Sequence, residues 1–417
     1  MAGAGSGVTL ADLTTLRVGG PVGRLTDAES PAELVAALPE EPMASSGEVV
    51  LLGAGSNTVP SDAAVAHVIR PRWSTIDIHP DDAATHLVEV GAGASWDGLA
   101  QRAVAEGWSG FEALVGIPGT VGAAPVQNIG AYGHEVSELI EHVTVWDRFA
   151  KCTAHLTPPE LGFGYRTSRI KNPTRFSGAR PRPREQPAPD SAPDPRPRPA
   201  PDSAPDPRPR PTPDLAPDPT HLPDPASGQV PTPTAEGQSR WLPRFVVLSV
   251  AFRVRLSAWS APVLYPELAG ALDIELGERA TLSETAQAVL ALRRSKGMVL
   301  DDADHNTWST GSYFSNPILT ASQAAALPAD APRFDAGRNP AGELLVKTSA
   351  AWLIAHAGVA KGWGLNRRAT TSTAHVLALT NRGGATASDI RELGDAIAGK
   401  VLDAYGIALT PEPTLLP

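Results

Sequence analysis

The chain carries one cysteine, Cys152, in 417 residues. That excludes intrachain disulfides and any zinc or iron–sulfur site built from several thiolates. Nothing around Cys152 supplies an activating histidine, so it is read as incidental rather than nucleophilic. The chain also lacks an uncharged apolar run long enough for a membrane helix, so no membrane insertion is expected. It has no basic excess: 35 Lys and Arg stand against 45 Asp and Glu, a formal charge of −10, which argues against nonspecific nucleic-acid binding. The opening Met1-Ala2-Gly3-Ala4-Gly5-Ser6-Gly7 has neither the basic start nor the apolar stretch of a signal peptide, and a cytoplasmic protein is the expectation. Finally, none of the glycine-rich segments is a Rossmann or P-loop signature, since Gly53-Ala54-Gly55 lacks a third glycine at the required offset and no GKS/T ending occurs.

What is present is enough apolar chain, 42% hydrophobic residues with 19% charged, for two or three ordinary domains. One boundary is compositional. Of the 42 prolines, 20 fall between Pro181 and Arg240, in a tract that repeats Pro-Asp-Ser-Ala-Pro-Asp-Pro-Arg-Pro-Arg-Pro from Pro189 and again from Pro201. Proline at nearly alternate positions removes backbone donors and favours extended chain, and the alternating charges keep it solvated. The tract is expected to be a disordered insertion, either a tolerated surface loop or an arm for an unidentified partner.

Outside the tract the pattern is α+β. Val49–Leu52 runs into Gly53-Ala54-Gly55-Ser56-Asn57, and His86–Val90 into Gly91-Ala92-Gly93, as strands meeting loops. Pro60 opposes a strand starting there. Trp96 to Glu106 has helical spacing with Gly107 at its end. Phe245 to Leu256 alternates strictly and predicts a long strand buried on one face. Thr281-x-x-Glu284 is a capping box, Ser349 precedes another helix, and Ser388 is the expected cap of a helix with the stripe Ile390, Leu393, Ile397, Val401 and Tyr405. Gly358 and Gly406 mark where the last two helices stop.

Taken singly, each glycine loop is a turn, each lone Ser a cap, and each lone Arg a solvated cation. Their order is more informative. Thr15-Leu16-Arg17-Val18-Gly19-Gly20, Leu52–Asn57 and Gly116-Ile117-Pro118-Gly119-Thr120-Val121-Gly122-Ala123-Ala124-Pro125-Val126-Gln127-Asn128-Ile129-Gly130-Ala131-Tyr132-Gly133 are followed by Gly162-Phe163-Gly164-Tyr165-Arg166-Thr167-Ser168, Gly311-Ser312-Tyr313-Phe314-Ser315-Asn316-Pro317 and Thr410-Pro411-Glu412-Pro413. This series resembles the MurB family of flavin-dependent reductases over the whole chain apart from the proline tract and the extreme N-terminus.

The resemblance implies a two-lobed FAD-binding module of the vanillyl-alcohol-oxidase (PCMH) type, with lobes at 8–80 and 81–256 and the insertion at 181–240 within the second. A C-terminal α/β substrate-binding domain at 257–417 follows. It implies noncovalent FAD, NADPH as co-substrate used in turn with UDP-N-acetylglucosamine enolpyruvate, and a monomer. Arg166, Ser312 and Glu412 are then the catalytic set. Gly53, Gly55, Ser56, Asn57, Gly116, Ile117, Pro118, Gly119, Val121, Gly122, Ala123, Gln127 and Asn128 hold the cofactor, and Tyr265, Lys296, Asn316 and His375 the substrate, with Tyr265 matching the first of the two MurB types. Lys296 could equally assist Ser312, and His375 could be no more than a polar residue in a strand. The run Asp301-Asp302-Ala303-Asp304-His305 is read as a solvated loop rather than a metal site. Two alternatives remain: another flavin oxidoreductase of this fold, or a noncatalytic relative that keeps only the scaffold.

Overall fold

The computed structural model describes residues 7–40, 49–171, 242–339 and 341–416; the proline tract lies outside them. Three parallel-paired strands form the first sheet, with Val65–Pro71 between Val22–Ala28 and Val49–Leu51. Its β-branched residues Val22, Val50, Val65 and Val68 bury against Leu10, Leu13 and Leu52. Strand Val49–Leu51 ends at the glycine loop as anticipated, and Thr58–Val59 stops at Pro60 after two residues.

The second sheet is six-stranded and antiparallel, running Cys152–Leu156, Ile140–Asp147, Phe245–Leu256, Thr85–Gly91 and Ile76–Pro80, with Trp108–Ser109 on the far end of Phe245–Leu256. Helix Trp96–Ala105 covers one face, where Trp96, Phe111 and Phe252 pack within 6.1 Å of one another. Strand Phe245–Leu256 is buried on more than the one face its alternation suggested: Phe245, Val247 and Ala251 are as enclosed as Val246, Val250 and Phe252. The reason is its central place in the sheet and a cavity wall on the other side, to which Phe245 and Val247 contribute. This core continues past Leu256 through Val263, Leu268, Ala286 and Val289, because helix Leu282–Ser295 packs on the same layer.

A separate core gathers the rest of the chain. Strands Ile318–Thr320, Leu344–Lys347 and Phe334–Arg338 form one small sheet and Ala369–Thr371 with Leu379–Asn381 another. Helices Ala350–His356 and Ala387–Tyr405 close it. Ile390, Leu393, Ile397 and Val401 are fully buried, as their spacing requires. The cap is not Ser388, however. Thr386 occupies that position, accepting from Asp389 N while Asp389 returns the bond, because the box needs an acidic or amide residue three positions on. Ser388 instead donates to Asp62. Gly406 ends this helix in the left-handed conformation, and Gly358 follows the previous one at φ 82°. Past Gly406 the tail returns to the first sheet's neighbourhood, pairing Thr414–Leu415 in parallel with Thr58–Val59 and burying Leu416 in the first core.

Candidate active site

A cavity of about 620 Å³ lies where these parts meet. Its first wall is the loop Gly53–Asn57, whose main-chain N–H groups find no protein acceptor among the described residues. The facing wall, Ile117 to Ala123, leaves the N–H groups of Ile117, Gly119 and Thr120 equally free. Such rows of donors in glycine-rich chain suit a pyrophosphate. The glycines allow the two loops to approach: a Cβ on Gly53 would lie 2.7 Å from Thr120 Oγ1. Ser56 ties the loops together by donating to Pro118 O at 2.8 Å. These features fit a dinucleotide cofactor bound chiefly by main chain.

Arg166, Ser312 and Glu412 all line the same cavity. Arg166 sits at φ 54°, a left-handed conformation costly for a residue with a Cβ, and it is shared by Tyr132 in the adjoining wall and by Asn128 behind it. Backbone strain of this kind persists where surroundings over-determine it. Here the guanidinium donates to Gly130 O at 2.7 Å and Asn128 O at 3.3 Å. Gly130 must lack a side chain, since a Cβ there would come within 3.0 Å of Arg166 Nη1 and 2.7 Å of His134 O. Arg166 Nε lies 3.1 Å from Glu412 Oε1 but is not aligned for a hydrogen bond and has no acceptor among the described residues. The ion contact is therefore a charge pairing that leaves one N–H without a hydrogen-bond partner among the described residues.

Burial pushes the Glu412 carboxyl above its ordinary range, although Arg166 and Lys171 pull it down. Gln127 connects it to the first loop: Nε2 donates to Glu412 at 3.4 Å, while Oε1 accepts from Asn57. The serine segment and the tail are joined by main chain, with Glu412 N donating to Tyr313 O at 2.8 Å and Phe314 bridging to Pro411. Tyr313 is buried beside Phe314, and burial pushes its phenol up to about 12. Ser312 itself bridges to Ala378 through main chain and has no side-chain hydrogen bond among the described residues. Its hydroxyl is available to a ligand.

The remaining wall is cationic and aromatic. Lys296 pairs with Glu267 and stands 5.9 Å from the Tyr132 ring, which meets Tyr265 edge to face at 5.5 Å. His375 lies in the turn before strand Leu379–Asn381, not in a strand. Burial, with Lys296 and Lys361 nearby, lowers its imidazole to about 4, so it is neutral at pH 7. Asn316 also reaches the cavity, but its Oδ1 accepts from Ala350 N at 3.0 Å and secures the helix behind it.

Of the residues expected to hold the cofactor, Gly53, Gly55, Ser56, Asn57, Ile117, Pro118, Gly119, Gly122, Ala123 and Gln127 line the cavity, whereas Gly116, Val121 and Asn128 stand behind it. Gly116 N donates to Asp97 at 2.5 Å, Val121 belongs to the large core, and the Asn128 amide is engaged with Glu135 and Gly164 O. Asp302 and Asp304 likewise have structural roles, pairing with Arg17 and capping Asn306 N. Four residues were not singled out from sequence. Tyr132, visible only inside the quoted Gly116–Gly133 segment, and Arg293 both line the wall. Glu135 stands beside Arg166, and burial raises its carboxyl. Lys171, five positions after Arg166, carried no local signal at all.

Comparison with known proteins gives matches along the whole chain. Residues 302–416 match the family model described as UDP-N-acetylenolpyruvoylglucosamine reductase, C-terminal domain, and residues 25–153 the one described as FAD binding domain. The UDP-N-acetylenolpyruvoylglucosamine reductase of Cutibacterium acnes is 38% identical over 99% of this chain and 90% of its own length. That of Thermobifida fusca is 37% identical over 98% and 97%. The crystal structure of UDP-N-acetylenolpyruvylglucosamine reductase (MurB) from Thermus caldophilus aligns over 98% of both chains with a TM-score of 0.52 at 22% identity, which shows a shared fold.

Proposed function

Because the chain belongs to the UDP-N-acetylenolpyruvoylglucosamine reductase family, we propose that it reduces UDP-N-acetylglucosamine enolpyruvate to UDP-N-acetylmuramate, a step of peptidoglycan precursor synthesis. The flavin oxidoreductase assignment follows from family membership and the FAD-binding domain. NADPH as hydride source, noncovalent FAD, a monomeric state and a cytoplasmic location belong to the proposal. The loops Gly53–Asn57 and Ile117–Ala123 would hold FAD, which when bound would supply the hydride chemistry that links nicotinamide oxidation to reduction of the enol ether at its β-carbon.

The observation that carries this reading is the convergence of Arg166, Ser312 and Glu412 on one cavity whose other walls are donor-rich glycine loops. Hydride addition breaks the C=C π bond and leaves negative charge shared by the α-carbon and its carboxylate. Arg166, fixed by two carbonyls and with Nε unspent, is placed to hold that charge without exchanging a proton. Glu412, pushed toward its protonated form by burial, adds a hydrogen bond to the same carboxylate. Ser312 then delivers the proton that completes the second C–H bond. Tyr265, Lys296, Asn316 and His375 form the face assigned to the nucleotide sugar, with neutral His375 serving as a hydrogen-bonding group rather than a cation. The proposed division assigns 8–80 and 81–256 to the cofactor and 257–417 to the substrate, although the first part of the last segment packs on the second lobe's core.

The test is to purify the protein, record flavin absorbance, and follow NADPH oxidation with and without UDP-N-acetylglucosamine enolpyruvate. Yellow protein and substrate-dependent oxidation are expected. Colourless protein that resists reconstitution with FAD would sink the reading, and rapid oxidation without the substrate would favour an oxidase of the same fold.

A further inference from the structure

The three proposed catalytic side chains come from distant parts of the chain, yet one further side chain touches the backbone of two of them. Lys171 Nζ lies 3.5 Å from the carbonyl oxygen of Arg166 and 3.5 Å from that of Glu412, and 3.4 Å from Gln127 Oε1. An ammonium has three N–H donors and no acceptor, so these oxygens account for its capacity. No carboxylate oxygen is among its partners in the described residues. It is held from below by its own turn, where Ser168 donates to Val126 O at 2.6 Å, Arg169 N donates to Leu161 O at 2.8 Å, and Ile170 is buried. It also lines the cavity. A mostly buried cation on three neutral oxygens is expensive unless its charge is used, and burial accordingly lowers its own pKa.

We propose that Lys171 is a positioning residue for the reduction: it fixes the spacing of Arg166 and Glu412 through their main-chain carbonyls and biases the proton on Glu412. The proposal rests on the reading given above for those two residues. Glu412 faces Arg166 and Lys171 as cations, Gln127 as a neutral donor, and the Tyr165 phenol. Glu135 lies on the other side of Arg166, with Glu138 and Lys347 beyond it. Removing the Lys171 charge leaves Arg166 alone to oppose burial, so the carboxyl must hold its proton to higher pH.

The experiment compares full-length, FAD-loaded wild type with Lys171→Met and Lys171→Arg. Lys171→Met is expected to keep its flavin and to be reduced by NADPH as wild type is. Turnover with UDP-N-acetylglucosamine enolpyruvate should fall about 10²-fold, the scale of loss from a displaced catalytic group, and the alkaline limb of kcat should move to higher pH. Lys171→Arg should recover most of the turnover and return the limb. Full turnover in Lys171→Met, or equal losses in both variants with the limb unmoved, would overturn the proposal. A readout independent of turnover separates it from the broader assignment: the Glu412 carboxyl band, identified by difference infrared spectroscopy against Glu412→Gln, should titrate higher in Lys171→Met than in wild type. A wild type that binds flavin but does not turn over this substrate would refute the assigned reaction, and the infrared titration would then decide the effect of Lys171 on the carboxyl by itself.

Discussion

Gly394 lies inside helix Ala387–Tyr405, where replacement by alanine ordinarily stabilises by about 1 kcal/mol. Here the sign is expected to reverse. A Cβ at Gly394 would stand 2.7 Å from Tyr313 Cε1 and 2.9 Å from Cζ and Oη, about 1 Å inside a normal carbon contact. Tyr313 is 2% exposed and packs edge-on against Phe314, so its ring has no free space. Overpacking of this kind costs about 1–3 kcal/mol; set against the propensity gain, Gly394→Ala should lose about 0–2 kcal/mol. Gly399 in the same helix is the control, because a Cβ there meets nothing within 4 Å, and Gly399→Ala should gain about 1 kcal/mol. Denaturant midpoints of both variants at matched FAD saturation give the comparison. The displacement also has a route to function: Tyr313 N donates to Leu377 O and its carbonyl accepts from Glu412 N, so a shifted Tyr313 carries Ser312 and Glu412 with it. Turnover of Gly394→Ala should fall while flavin content holds. A Gly394→Ala protein as stable and as active as Gly399→Ala would show the reasoning to be wrong.

Asp62 accepts from Ala387 N at 2.8 Å, Ser388 N at 2.9 Å and Ser388 Oγ at 2.8 Å. Although burial raises its carboxyl, these bonds outweigh that and hold it below the ordinary carboxylate range. Its folded pKa thus lies under the unfolded one, so its stabilisation is complete above about pH 4 and is lost as pH falls through the folded value. Because the residue is solvent-exposed, Asp62→Ala should cost only about 1 kcal/mol at pH 7, and the difference from wild type should vanish in acid; a constant gap across pH would contradict it. Ser312→Ala should leave flavin reduction by NADPH at the wild-type rate and slow reoxidation by substrate about 10²–10⁴-fold in rapid-mixing experiments, as loss of a positioned acid does; slowed flavin reduction would argue for a different role. Deleting residues 181–238 should leave turnover nearly unchanged and relieve about 1–2 kcal/mol of loop-closure cost, measured by the same assay and by unfolding; a collapse in turnover would assign the tract to the site.

Much of the scaffold was legible because it depends on short-range rules. The Thr281 and Ser349 caps, the Trp96–Ala105 helix, the alternating strand Phe245–Leu256 and the stripe from Ile390 to Val401 are set by periodicity and capping chemistry, which a single segment contains. The errors share a cause. Ser388 and Thr386 are both good caps, and only the returned bond from Asp389 decides between them. The second buried face of Phe245–Leu256 follows from a cavity that its own sequence does not encode. Val121 and Asn128 sit in the glycine-rich segment with residues that line the cavity, yet they turn away: Val121 packs into the large core, and the Asn128 amide is engaged by Glu135 and Gly164 O. Lys171 was invisible for the opposite reason: two of its three partners are main-chain oxygens, which leave no trace in residue identity.

The site's dependence on tertiary pairing also explains why its parts belong together mechanically. Loop Gly53–Asn57, which offers its free N–H groups to the cavity, continues directly into Thr58–Val59. That strand pairs with Thr414–Leu415, two residues past Glu412, and Thr414 N donates to Asn57 O at 2.9 Å. Arg391, on the helix that Tyr313 packs against, reaches both Pro60 O and Leu416 O. Whatever the glycine loop holds is therefore linked through a few hydrogen bonds to the carboxyl opposite Arg166, and Gln127 closes the circuit from Asn57 to Glu412. A cofactor seated on that loop would lower the freedom of the tail as well as its own surroundings. The short strand Thr414–Leu415 thereby acts on the site: its pairing with Thr58–Val59 fixes the segment that carries Glu412 against the main chain that continues from the glycine loop.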